Sequence, residues 1–150
     1  MTDTWDSEKT PILLHPAKRV AMLSQGQTLF NREEFFEAHE IWEQLWLLEQ
    51  GRDRTFVQGL IQVAAHFVHL RKANWSGAKS MVTLAKEKFL MPPSNKIYGE
   101  LDITPLLSAL NYNLEVLNKN RLGQELGPQK LTALPPPIPD AFIVPKLFEK

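Results

Sequence analysis

The stretch FFEAHEIWEQLW, residues 35–46, decides how this chain folds. Its apolar residues recur every three or four positions, the spacing that gathers side chains on one side of an α-helix. Projected at about 100° per residue, Phe35, Trp42 and Trp46 share a side. Ala38 and Leu45 lie beyond them in one direction, Phe36 and Leu47 in the other. Phe35, Phe36, Trp42 and Trp46 therefore read as core packing. His39 and Glu43 fall between these groups one turn apart, Glu40 borders the apolar arc, and Glu33, Glu37 and Gln44 take the opposite face. Glu43 is expected to be substantially buried, and a buried carboxylate requires a proton donor, a cation or water.

Punctuation on either side sets out further helices. Pro16 suits the first turn of a helix ending near Phe30, while His15 before it reads as an incidental surface residue. Asn31, with Arg32, Glu33 and Glu34 after it, predicts the cap of the second helix, which runs to about Gln50 and stops at Gly51. Asp53 predicts the cap of a third helix reaching Lys72. Asn74, Trp75 and Ser76 mark a turn and a new cap, and the fourth helix runs to about Leu90 before Pro92 and Pro93. Thr104 before Pro105 starts a fifth, ending near Asn120, with Leu106, Leu110, Leu114 and Leu117 at helical spacing. The expected fold is all-α: a compact single-domain bundle of about five helices over 15–120, an N-terminal arm over 1–14, and a tail over 121–150. The end of that tail, LPPPIPDAFIVPKLFEK, holds five of the eleven prolines. It cannot be a regular helix, and its interspersed apolar residues predict an extended segment packed on the domain, with a partner or dimer contact as the competing role.

The third helix, TFVQGLIQVAAHFVHLRK, is apolar around most of its circumference, which predicts a central position. One narrow stripe differs. Gln58, Gln62, His66 and His69 recur at spacings of four, four and three, with Gly59 beside them for close helix approach. Either this stripe is the helix's exposed strip, or it meets His39 and Glu43 along a shared polar seam. Such a seam could be a hydrogen-bonded network fixing helix register. It could also hold a divalent metal through His39, Glu43 and one of His66 or His69, with Glu40 or Gln62 behind them. Imidazole and carboxylate suit zinc, iron or manganese. The motif matches are incomplete: position 43 is glutamate where an HExxH zinc site needs histidine, and Phe36 stands where a di-iron Glu-x-x-His would need glutamate.

Composition narrows the function classes. Seventeen basic and seventeen acidic residues cancel, so no global field draws the chain to nucleic acid or an anionic membrane. Lys79, Lys86 and Lys88, with Arg71 and Lys72, read as a solvated face interrupted by Glu87. The absence of cysteine removes disulfides, thiolate nucleophiles and cysteine-ligated metals, and fits a reducing compartment. No run approaches the roughly 18 apolar residues of a membrane span, and the start lacks a signal-peptide pattern. The expected location is cytoplasmic. The aromatic surplus leaves a homodimer open.

Two segments, FNREEFFEAHEIWEQLW (30–46) and FVQGLIQVAAHFVHLRKANWSGAKSMVTLAKEKF (56–89), resemble the Domain of unknown function 309 family of small all-helical proteins. The resemblance covers about residues 15–90. It rests on the Phe-Phe-Glu-Ala-His-Glu run, the Gln-Gly-Leu-Ile-Gln run and the Asn-x-x-Gly-Ala turn in that order. It implies a compact helical fold and supplies no substrate, cofactor or catalytic residue. Ala73 stands where the family usually has glycine, and His66 where it usually has a small or apolar residue, which makes His69 the better third ligand. The reading is then a binding or interaction module for a small molecule or protein, using a seam of His39, Glu43, Gln58, Gln62, His66 and His69. The alternative is a metal-dependent hydrolase with His39, Glu43 and His69 as ligands and Glu40 as general base.

Overall fold

Pro16 opens the first helix as its position predicts, and the residue before it does more than expected. The His15 ring nitrogen Nδ1 accepts a hydrogen bond from the Ala17 amide at 3.1 Å, so His15 caps the helix rather than standing idle on the surface. The computed structural model describes residues 14–119. These form helices α1 (Pro16–Asn31), α2 (Phe35–Leu48), α3 (Gly51–Arg71), α4 (Trp75–Phe89), α5 (Lys96–Gly99) and α6 (Thr104–Lys119). The class is all-α, as expected, with the four-residue α5 added between the two proline-bounded helices. The arm up to residue 13 and the proline-rich tail lie outside the described residues.

The turn between α1 and α2 corrects one cap. Asn31 ends α1 instead of starting α2. Glu33 takes a left-handed φ of 67°, its amide donates to the Phe30 carbonyl, and the Glu34 amide donates to the Leu29 carbonyl, both at 2.9 Å. These are the two backbone bonds that close a helix through a left-handed residue. The same closure recurs after α3: Ala73 has φ 56°, its amide donates to Leu70, and the Asn74 amide donates to His69. Between α2 and α3 the corner is made at Gly51, with φ 59°. Gly51 begins α3 rather than stopping α2 alone, and Asp53 lies inside the first turn of α3. Its carboxylate accepts from the amides of Ser94 and Asn95, each at 2.9 Å. That tie fixes the loop ahead of α5 against the start of α3.

The central position expected of α3 is observed. It packs on α2 along one side and α4 along another, and contributes buried Phe56, Val57, Leu60, Val63, Ala64, Phe67 and Leu70. Phe30 of α1, Phe35 of α2 and Phe67 of α3 meet with ring centroids 5.0–5.4 Å apart. Trp42 crosses onto α1, where its indole N–H donates to the Leu23 carbonyl at 3.3 Å. A Cβ at Gly26 would collide with that indole, so the glycine lets α1 and α2 approach. The leucines of α6 behave as spaced: Leu106, Leu110 and Leu117 are buried, and Leu114 packs against the core. No described helix is long and apolar enough to cross a membrane.

Candidate functional site

The motif helix α2 splits its aromatic residues between inside and outside. Phe35 and Trp42 are buried and Trp46 packs against the core. Phe36, expected in the core, is 55% exposed, and Leu47 is 66% exposed. Eleven residues is close to three whole turns, so these two side chains share one line along the helix. Glu40 and Glu43 lie between them on that line. The Glu43 side chain is 54% exposed, which corrects the expected burial. The apolar arc that meets α1 and α3 runs through Phe35, Ala38, Trp42 and Leu45, one helical step away from the arc that would have hidden Glu43. His39 lies beside it, with Nε2 3.7 Å from a Glu43 oxygen and its ring stacked on Phe36 at 5.8 Å between centroids. Its Nδ1 is buried without a hydrogen-bond partner. Glu40, Glu43, Gln44, Trp46 and Leu47 line a cavity of about 330 Å³ on this face. The Arg54 guanidinium covers the Trp46 ring at 3.7 Å and donates to the Trp46 carbonyl at 3.1 Å, which fixes that end of the surface.

The stripe on α3 does not face this surface. Phe67, which meets α1 and α2, points one way. His66, one residue earlier and about 100° around the helix, is fully buried between α4 and α6. Its Nδ1 lies 2.8 Å from the Ala78 carbonyl and its Nε2 3.1 Å from the Asn113 amide nitrogen. A carbonyl can only accept, so Nδ1 carries the proton and Nε2 accepts from Asn113. Burial pushes the His66 pKa down to about 4, against a smaller upward pull from the bond to Ala78, and the ring is neutral. The Asn113 Oδ1 beside it is buried with no partner.

His69 turns to the joint of α3 and α4. The Asn74 Oδ1 accepts from the Gly77 amide at 3.0 Å, which leaves its amide nitrogen to donate to His69 Nδ1 at 3.1 Å. A Cβ at Gly77 would press on both His69 and Asn74. The Asn-x-x-Gly-Ala turn is thereby explained: Asn74 caps α4, Gly77 admits His69, and Ala78 supplies the acceptor for His66. Gly59 plays the expected role of close approach, against Phe89 and Lys88 of α4. Gln58 and Gln62 are partly buried on the same stripe, and Gln62 Oε1 has no partner.

With this turn and the α2 motif in place, residues 23–81 match the family model of the Domain of unknown function (DUF309). The match supports the resemblance to that family over this segment. It spans the end of α1, all of α2 and α3, and the first half of α4, a narrower range than the resemblance suggested. No curated protein and no solved structure matches the chain at a significant level. Within the DUF309 segment the expected shared seam is absent, because His39 and Glu43 lie outward on α2 while His66 and His69 turn to α4. Among the described residues no three histidine or acidic side chains stand close enough to share a metal ion. His39, Glu43 and His69 therefore do not converge as a triad, and Glu40, read as a general base beside it, is exposed on the α2 face.

One polar cluster has no forewarning in the sequence, and two of its three members lie outside the DUF309 segment. Arg19 of α1 donates through both Nε and Nη2 to the Glu49 carboxylate, the Nη2 bond at 3.0 Å, and the Tyr98 hydroxyl donates to the same carboxylate. All three side chains are buried. The bond to Glu49 raises the Arg19 pKa, and burial, followed by that same carboxylate, raises the Tyr98 pKa. The cluster is satisfied and closed, joining the end of α2 to α1 and α5. In sequence Arg19 is one cation among many, and the four-residue α5 leaves no periodicity to announce Tyr98.

Proposed function

We propose that the protein is a binding module whose working surface is the outward face of α2. The observation that carries this reading is the placement of Phe36 and Leu47 at the two ends of one exposed line, with Glu40 and Glu43 between them. Two large apolar side chains left in water on the same line, while their neighbours Phe35 and Leu45 fill the core, form a surface that gains by being covered. The carboxylates in the middle select what covers it. A protein element fits that presents a lysine or arginine between two apolar anchors about three helical turns apart, the arrangement of an amphipathic helix laid along α2. The cavity beside Trp46 admits one of those side chains. Apolar anchors would supply most of the affinity, and the charges the orientation and association rate.

The test places p-benzoylphenylalanine at Phe36 in the full chain and irradiates the cells that make it. A discrete protein adduct that disappears in the Glu40→Lys/Glu43→Lys background is the expected result. The reading is overturned if no adduct forms, if the adduct survives charge reversal, or if the same species arises from the exposed control position Ser80 on α4.

A further inference from the structure

A second apolar surface is built from α4 and α6 rather than α2. Between α4 and α6 a groove of about 370 Å³ is lined by Phe89, Leu90, Leu107 and Leu114, with Lys86 and Glu87 among its rim residues. Leu90 is 83% exposed, and Met91, next to it in sequence, is exposed as well. Thus Leu90, which lines the groove, and Met91, which follows it, are both large apolar side chains left in water. Its residues, 83 to 114, all lie beyond the DUF309 segment, which ends at 81. The groove belongs to the part of the chain that carries the proline-rich tail.

The geometry points to the chain's own residues 138–148 as the occupant of this groove. This site is separate from the α2 face, and neither depends on the other. α6 forms one wall and hands the chain on at Lys119. Running back along α6 from Lys119 to Leu107 covers about 18 Å at 1.5 Å per residue. Residues 120–137, extended at about 3.1 Å per residue as a proline-rich linker, reach roughly 55 Å. The span is therefore met with slack. The segment IPDAFIVPKLF, residues 138–148, is the most apolar part of the chain beyond α6, with Ile138, Phe142, Ile143, Val144, Leu147 and Phe148. It also carries one acid, Asp140, and one base, Lys146, to set against Lys86 and Glu87. Prolines 135–137, 139 and 145 restrict the free segment, which lowers the entropy lost on docking. Tethering to the groove's own wall gives an effective concentration on the order of millimolar, far above that of a second copy at micromolar protein.

The experiment introduces p-benzoylphenylalanine at Leu107 in the full-length chain and, separately, at Lys86 on the rim, where a foreign side chain disturbs packing less. After irradiation of purified protein at micromolar concentration, the cross-linked peptides are sequenced by mass spectrometry. Joining to residues 138–148 within a monomer, from either position, is expected, and Phe142→Asp/Val144→Asp should reduce that product several-fold. Cross-links to 138–148 that appear only in dimers overturn the proposal in favour of tail exchange between copies. Cross-links that miss the tail from both positions overturn it outright.

Discussion

Arg19 and Glu49, thirty residues apart in sequence, face each other through two hydrogen bonds in a buried contact that Tyr98 completes. A buried carboxylate holding a guanidinium costs more to break than it contributes when whole, because the partner left behind is an unpaired buried charge. Glu49→Ala should lower the unfolding free energy by about 3–5 kcal/mol, read from urea denaturation. Replacing the whole cluster, Arg19→Met with Glu49→Leu and Tyr98→Phe, should recover most of that loss. A triple variant no more stable than Glu49→Ala would show that packing geometry, and not the orphaned charge, sets the cost.

His66 gives the protein a pH dependence of definite sign. Its folded pKa, about 4, lies below the 6.5 of an ordinary histidine, so the unfolded chain binds the proton first as the solution is acidified. The stability that depends on neutral His66 is complete above pH 6.5 and drains away between pH 6.5 and about 4. At about 1.4 kcal/mol per pKa unit, the loss is on the order of 3 kcal/mol. Carboxylates also titrate near the lower end of that window, so the decisive measurement compares stability curves for wild type and His66→Asn. The difference between them should shrink steadily from pH 7 to pH 4. A constant offset across that range would show that the ring is protonated inside the fold.

How much of this is legible from sequence depends on which kind of chemistry ends each helix. Where a side chain or proline sets the boundary, as Pro16 and Asn74 do, residue identity announces it. Where backbone bonds close the helix through a left-handed residue, as at Glu33 and Ala73, nothing in those side chains advertises the turn, and Asn31 has the look of a cap it does not provide. Periodicity also locates both polar stripes without fixing which neighbour each meets. The α3 stripe is consistent with a partner on any side until α4 and α6 enclose His66. The Gly77 spacing after Asn74 is the signal that could have assigned His69 to the helix joint, since a glycine two residues into a helix invites a close neighbour.

Ala73 carries the strain of its turn. At φ 56° an L-residue costs about 1–2 kcal/mol relative to the right-handed region, and glycine avoids that cost while adding about 0.5–1 kcal/mol of its own backbone entropy. Ala73→Gly should therefore stabilise the protein by about 0.5–1 kcal/mol, seen as a higher urea midpoint with an unchanged slope. Ala73→Val, β-branched at the same angle, should move the midpoint the other way. If the glycine variant is no more stable than wild type, the α3–α4 turn is held by the Asn74 side chain strongly enough to absorb the strain.

Adjacent phenylalanines separate stability from binding on α2. Phe35 is 3% exposed and stacks on Phe67, so Phe35→Ala should cost about 3–5 kcal/mol through lost burial and the cavity left behind. Phe36 projects into water, and Phe36→Ser should shift stability by no more than about 0.5 kcal/mol. Leu47→Ser should be equally mild. Neither outer residue then has a folding role, and each should matter only when the face is covered. With the photoreactive residue at Phe36, Leu47→Ser should sharply reduce the adduct while its urea midpoint stays in place. A drop in adduct accompanied by an equal drop in stability would mean that Leu47 supports the helix rather than the partner, and the α2 face would lose its second anchor.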